Sequence, residues 1–269
     1  MSGGRPPRLA AGRARALGLP TRGTTNPNRL RRMDNWIVAR LGPQLRQAGD
    51  PLVVDLGYGA GPVTAVELRA RLATVRADVR VLGLEIDPAR VAAALPAADP
   101  PALTFERGGF ELGGHRPVIV RAANVLRQYA PADAARAWAT LRRGLSDGGA
   151  IVEGTCDEIG RLAAWVLLEA TGPVSLTLAC RVESLDRPGD LAARLPKALI
   201  HHNVPGQPVH ALLQSLDDAW ATAAPVSVFG ARQRWVAACE GLVAEGWRAD
   251  VSRARYGELT VPWSSVAPV

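Results

Sequence analysis

The 269-residue chain predicts an α/β protein with a doubly wound, mostly parallel sheet and helices on both faces. Three observations carry that expectation. Short apolar runs rich in Val, Ile and Leu alternate with helical segments between residues 28 and 155, the rhythm of a parallel sheet covered by its own crossover helices. A glycine-rich turn, GYGAG, follows the first of these runs directly. An acid, Glu85, closes the second run in GLEIDP.

The elements follow in chain order. Residues 1–24 are rich in Gly, Pro and Arg without periodicity, which predicts a disordered basic arm. From 28 to 45, Leu30, Met33, Ile37, Leu41 and Leu45 recur at three- and four-residue steps and mark an amphipathic helix. Asn26 is its expected cap and Pro27 its first turn, with a kink or break at Gly42-Pro43. PLVVDLG reads as a buried strand. After it, Gly61-Pro62 opens a helix with Val66, Leu68, Leu72 and Val75 as its apolar face. VRVLGLEID (79–87), LTFERGG (103–109), PVIVRAANVL (117–126) and GGAIVEGT (148–155) supply four more strands. A short helix in VAAALPAA and a longer one over 133–145 lie between them.

Beyond 158 the rhythm changes. Two apolar runs around Gly172-Pro173 suit a β-hairpin over 160–183, although a helix followed by a strand also fits. A loop-rich segment around ARLPKALIHHNVPGQ and two helical segments, PVHALLQSLDDAWATAA and GARQRWVAACEGLVAEGW, follow. They are expected to cap or laterally extend the sheet, with Trp165, Trp220, Trp235 and Trp247 as core anchors.

Composition narrows the function classes. At 48% hydrophobic and 21% charged, with no apolar run near the ~18 residues a spanning helix needs, no membrane role is expected. The N-terminus lacks a compact apolar stretch followed by a cleavage signal, so a cytoplasmic protein is expected. Cys156, Cys180 and Cys239 are odd in number and widely spaced, which argues against a disulfide framework or a zinc site; no metal is expected. Residues 1–50 carry ten arginines against Asp34 and Asp50, a net of +8, so the rest of the chain sums to −1. That arm suits RNA phosphates, but the chain is Arg-biased throughout, with Lys197 its single lysine, and the arm lacks an aromatic stacking platform.

The turn raises the chemical question. A strand, a glycine-rich turn and a helix opening at proline present free backbone N–H groups and a positive helix end to a ligand. Side chains at 57, 59 and 61 would block close approach. The dinucleotide fingerprint GxGxxG, begun at Gly57, requires glycine at 62, where Pro62 stands; GxGxG fits, with Asp55 two residues earlier. Glu85 then lies across the switch point of the sheet, where a carboxylate accepts both hydroxyls of a ribose.

On these residues, the stretch 51–155 resembles the class I S-adenosylmethionine-dependent methyltransferases, VVDLGYGAG matching that family's first motif and GLEIDP its second. The resemblance implies a Rossmann-like sheet of about seven strands, the last antiparallel and supplied by a hairpin. It implies S-adenosylmethionine as cofactor, with Gly57, Gly59 and Gly61 under its methionine part, Asp55 near its amino end, Glu85 on the ribose and Ile86 beside the adenine. The family's acid after strand three is missing from ERGGF, which leaves the backbone of Gly109 and Phe110 for the adenine. Asn124 would lie beside the cofactor, and Tyr58 would face the sulfonium or pack against a helix. The Asn/Asp-Pro-Pro-aromatic motif of nucleic-acid amino methylation is replaced by Asn124-Val125-Leu126-Arg127.

No catalytic residue is singled out; Asn124, Arg127 and Tyr129 are weak candidates, and His201-His202, His115 and His210 weaker ones. The expected organisation is a basic arm (1–24), a cofactor-binding domain (25–185) and an extension on the same domain carrying acceptor-side elements (186–269). The acceptor is a small molecule or RNA, and the oligomeric state is left open. The alternatives are a non-catalytic adenosine-ligand-binding module and an NAD(P)-dependent oxidoreductase, the latter opposed by Pro62.

Overall fold

The computed structural model describes residues 26–269; the arm expected over 1–24 lies outside the described residues. Helices and strands alternate through the first part: α1 (Arg31–Gln47), β1 (Leu52–Leu56), α2 (Val63–Ala73), β2 (Arg80–Glu85), α3 (Pro88–Ala94), β3 (Leu103–Arg107), β4 (Ile119–Ala123), α4 (Pro131–Arg143) and β5 (Ala150–Cys156). The second part holds β6 (Leu162–Glu169), β7 (Gly172–Cys180), α5 (Lys197–Ile200), α6 (Pro208–Thr222), α7 (Ala231–Ala244) and β8 (Glu258–Pro262).

All the strands join one sheet in the order β3-β2-β1-β4-β5-β6-β7-β8. Those from β3 to β5 pair in parallel, and β6, β7 and β8 add to that block antiparallel. The fold is Rossmann-like, with eight strands rather than about seven. Residues alternate between two faces, so every position of LVVDL in β1 is buried, as a strand covered on both sides requires. Val53, Ile119 and Val152 face α1 and α2, in a core with Trp36 and Trp165 at 5.7 Å edge to face. Val54, Val120 and Ile151 face α4 and the C-terminal helices.

The hairpin over 160–183 forms as β6 and β7, turning at Ala170-Thr171. Beyond it, β8 is an element that sequence patterning missed. Its signal is five residues ending in proline, ELTVP, too short to show a period. Gly257 precedes it at φ +79, where a Cβ would strike the Cys180 carbonyl. The extension from 186 lays Leu191, Leu199, Leu212, Leu216, Trp220, Trp235 and Leu242 into the same core as Val120 and Ile151. It therefore covers the antiparallel half of the sheet on the α4 side.

Helix details depart from the periodicity. Asn26 does not cap α1; the helix begins at Arg31, because Asn28 turns to φ +59, and the Asn26 side chain donates to the Glu158 carbonyl (2.7 Å). Gly42-Pro43 does not divide the helix, which runs through both residues to Gln47. A Cβ at Gly42 would make only ordinary contact with Val75, at 3.4 Å. The apolar face of α2 is Ala65, Leu68 and Leu72, with Val66 exposed.

One buried group in the sheet stands unbalanced. Glu153, in β5, faces the α4 side, where its carboxylate accepts Trp138 Nε1 (3.3 Å) and its Oε1 has no partner. Burial raises its pKa to about 8. The folded chain keeps this proton up to about pH 8, whereas an unfolded chain releases it near the ordinary glutamate value of ~4.3. Stability therefore falls as pH rises across that window. Glu153→Gln is expected to behave like the parent near pH 4 and to be more stable above pH 8 by on the order of 5 kcal/mol. Denaturant melts of both proteins across that range check it, and equal differences at both ends would refute it.

Candidate functional site

The site lies at the C-terminal edge of the parallel strands, where the order reverses between β1 and β4. Crevices at such switch points are where open α/β sheets bind ligands. The turn between β1 and α2 passes through Gly57 at φ +66 and Gly59 at φ +90, a region that costs an L-residue ~1–2 kcal/mol. Gly57 N donates to the Leu84 carbonyl (2.7 Å), extending the β1–β2 ladder past the strand. A Cβ on Gly57 would lie 2.9 Å from a Val125 methyl, so the chain leaving β4 leans on the turn. Gly61 is half-buried beside Pro62, the N-cap of α2, which makes no side-chain cap hydrogen bond.

The turn and Glu85 meet. Glu85 is buried at the end of β2, and its Oε2 accepts the Gly59 N–H (3.2 Å) while its Oε1 accepts that of Ile86 (2.9 Å). Arg90 Nη1 lies 3.5 Å from Oε2. Asp87 N also approaches Oε1 at 3.4 Å, so each of the roughly four lone-pair sites of the carboxylate is approached, and a hydroxyl would enter by replacing one of the longer contacts. Ile86 is half-buried next to it, followed by Asp87, whose side chain accepts Ala89 N (2.9 Å) and so caps α3.

Two of the candidate ligand contacts, Asp55 and Tyr58, turn into the core, the packing alternative in the case of Tyr58. Tyr58 is in the core, edge to face with Phe105 at 5.3 Å, in space left by Gly83, where a Cβ would lie 2.6 Å from Phe105. Burial, with Glu85 and Asp55 adding to it, pushes its phenol pKa up. The alternating geometry around the turn sends its ring against β2 and β3, beside Gly83 and Phe105. Asp55 sends its carboxylate into the α1–α2 face, where it receives Arg121 Nε (3.0 Å), Arg121 Nη2 (2.6 Å) and the Thr64 hydroxyl (3.1 Å). Arg121 also bonds Asp34 of α1. Burial alone would lower the Arg121 pKa, but Asp34 and Asp55 outweigh it and raise it.

At the end of β4, Asn124 adopts φ +61, a conformation Asn tolerates better than most residues. Its Oδ1 accepts Cys156 N (3.1 Å), and its Nδ2 donates to Cys156 Sγ (3.3 Å). Arg29 Nε reaches the same sulfur at 3.3 Å, so the segment before α1 closes on the ends of β4 and β5. Phe110 packs edge to face on Tyr129 at 5.5 Å, joining the loops after β3 and β4, and Arg127 is exposed. His115 pairs with Glu106 at 2.9 Å, His210 with Asn203 at 3.2 Å, and His201 is exposed on the turn after α5. Among the described residues no group of three His, Cys, Asp or Glu side chains gathers to hold a metal, and no helix is long and apolar enough to cross a membrane.

Sequence reasoning overlooked several of these residues. Glu111, two positions past Gly109, places Oε1 on the Gly109 N–H (2.8 Å), so an acid does stand after β3. Arg121, Asp34 and Thr64 were also missed. Their signal was a lone arginine within the apolar run PVIVRAANVL, which a buried strand cannot hold without anionic partners.

No protein-family model matches the chain, and no curated protein matches it in sequence. Solved structures match parts of it. Magnesium protoporphyrin IX methyltransferase from Synechocystis PCC 6803, with bound SAH, is 22% identical over 46% of this chain and 55% of its own, at a TM-score of 0.36. An S-adenosylmethionine-dependent methyltransferase from Mesorhizobium loti is 27% identical over 42% and 52%, at 0.32. A pericyclic reaction enzyme is 16% identical over 45% and 30%, at 0.37. The chain thus spans between about a third and about half of the length of these three structures.

The turn geometry sets an expectation for stability. Gly57→Ala combines left-handed strain with a clash on Val125 and is expected to cost ~2–3 kcal/mol; chemical denaturation checks it. An unchanged midpoint would mean the turn is not held at this conformation.

Proposed function

We propose that the chain is an S-adenosylmethionine-dependent methyltransferase acting on a small-molecule or RNA acceptor. The observation that carries this reading is the contact between Gly59 and Glu85 at the β1/β4 switch point. It brings a bare main-chain turn and a buried carboxylate together at the C-terminal edge of the parallel strands. The donor set suits the cofactor. Glu85 offers acceptors to a vicinal diol, the half-buried Ile86 offers an apolar edge to a base, and Glu111 offers an acceptor to an exocyclic amine. The uncapped start of α2 offers N–H groups to the polar amino-acid end.

When bound, S-adenosylmethionine supplies an already activated sulfonium methyl group. The chain's part is then placement, holding donor and acceptor in line and excluding water. Glu85 and the turn orient the donor, and the 124–129 segment, with Phe110 and Tyr129 in contact, borders the space an acceptor would enter. Asp55 contributes from beneath by fixing the turn, since its carboxylate is engaged by Arg121. A general base is required only for an acceptor that must lose a proton, and none is assigned.

The donor reading predicts that Glu85→Ala weakens S-adenosylmethionine binding by about 1.5–3 kcal/mol, the loss of a hydrogen bond to a charged group. Titration calorimetry on a folded variant measures it, and an unchanged Kd would remove Glu85 from the site. For the acceptor, incubation with methyl-labelled donor and a cell extract fractionated into RNA, protein and small molecules shows which fraction takes the label. If RNA is the acceptor, deleting residues 1–24 should lower RNA affinity and flatten its salt dependence, leaving donor affinity alone. Label confined to small molecules would end the RNA reading.

A further inference from the structure

The turn over 57–61 has two shoulders, and one side chain holds both. Asp55, at the entrance, receives Nε and Nη2 of Arg121. Thr64, at the exit, offers its carbonyl to the same Nη2 (2.9 Å) and donates its hydroxyl to Asp55. Arg121 is fully buried, so these bonds are unscreened by water. A charge in that setting is sensitive to the loss of any partner.

The guanidinium's remaining arm leads away from the turn. Nη1 bonds Asp34 of α1, whose second oxygen accepts Arg71 Nη1 (2.7 Å). Arg71 Nη2 in turn donates to Asn28 Oδ1 (2.7 Å), and Asn28 N donates to Glu67 (2.7 Å). On either side of Asn28, Asn26 holds the Glu158 carbonyl and Arg29 Nε the Asp157 carbonyl (3.1 Å). The fit there is close: a Cβ on Gly160 would strike the Arg29 carbonyl. An unbroken polar path thus joins the turn to a chain segment docked across the β5–β6 connection.

We propose that Arg121 is a positioning residue that fixes both shoulders of the donor-binding turn and, through Asp34 and Arg71, makes affinity at that turn depend on the docking of residues 26–34. The affinity half rests on the donor reading above; the mechanical half does not. Undocking of the segment takes Asp34 from Arg121. The guanidinium is then free to shift off Asp55 and Thr64, and the turn loosens. Conversely, a ligand that holds the turn in its closed shape favours the docked segment, because coupling between two sites is reciprocal.

The test uses the full chain with Asp34→Asn and, as a milder variant that leaves every Arg121 bond in place, Arg71→Met. Amide hydrogen exchange without ligand is expected to quicken in both 26–34 and 56–64 while β6 and β7 keep the parent rates. Titration with S-adenosylmethionine, well below the melting point of each variant, is expected to show Kd raised about fivefold or more. A purely structural role would raise exchange across the whole sheet and leave the Kd of the folded fraction as it was; that result overturns the proposal. So does faster exchange confined to 26–34. If the parent itself does not bind S-adenosylmethionine, the donor reading fails, and the exchange pattern alone decides the coupling.

Discussion

The arrangement of the site depends on one buried guanidinium. Arg121 sits opposite Asp55 in the β1–β4 register, in the middle of the sheet, where desolvation of an isolated charge costs several kcal/mol. Its placement is tolerable only because Asp34, Asp55 and the Thr64 carbonyl all converge on it. Those partners come from α1, β1 and α2, so satisfying one charge fixes how three elements meet. The glycine turn is the chain between two of them. Its conformation is therefore determined as much by what lies beneath it as by its own glycines.

The same constraint explains where Asp55, expected near the amino end of the cofactor, points. An acid two positions before the first glycine is close to the crevice in sequence, but strand alternation points Asp55 into the α1–α2 face, where Arg121 awaits it. Glu85 differs because it ends its strand. There its Oε1 accepts the next residue's N–H and its Oε2 turns back to Gly59. Two acids of similar sequence context thus take distinct parts, one bonded beneath the turn to Arg121 and one bonded to the turn itself at Gly59.

The antiparallel half of the sheet extends the molecule away from this crevice. β6, β7 and β8 continue from β5, and the helices after residue 186 lie over them on the α4 side. Their packing is apolar, with Trp220 and Trp235 buried and Arg234 stacked 3.9 Å over Trp220. Glu153 is a buried carboxyl on that face, receiving Trp138 Nε1 while its Oε1 has no partner. The tolerance of such a group is consistent with a neutral carboxyl, whose burial costs far less than that of a carboxylate.

The amino-acid sequence by itself determined the local grammar: the β-branched runs, the helical periods, the three glycines after the first strand and the acid after the second. Each of these is written in neighbouring residues, because backbone strain and amphipathic period act over a few positions. The hairpin over 160–183 was one of two readings its apolar runs allowed, and the pairing of β6 with β7 decided it. Only the tertiary structure decided which charges face one another. Asp34, Asp55, Arg71 and Arg121 are separated by up to 87 positions, and no local pattern pairs them. It also decided that Tyr58 fills the space above Gly83, that Glu111 supplies the acid after β3, and that ELTVP becomes an edge strand by pairing with β7. Those outcomes depend on long-range packing and on the desolvation of buried charge, which are properties of the assembled core.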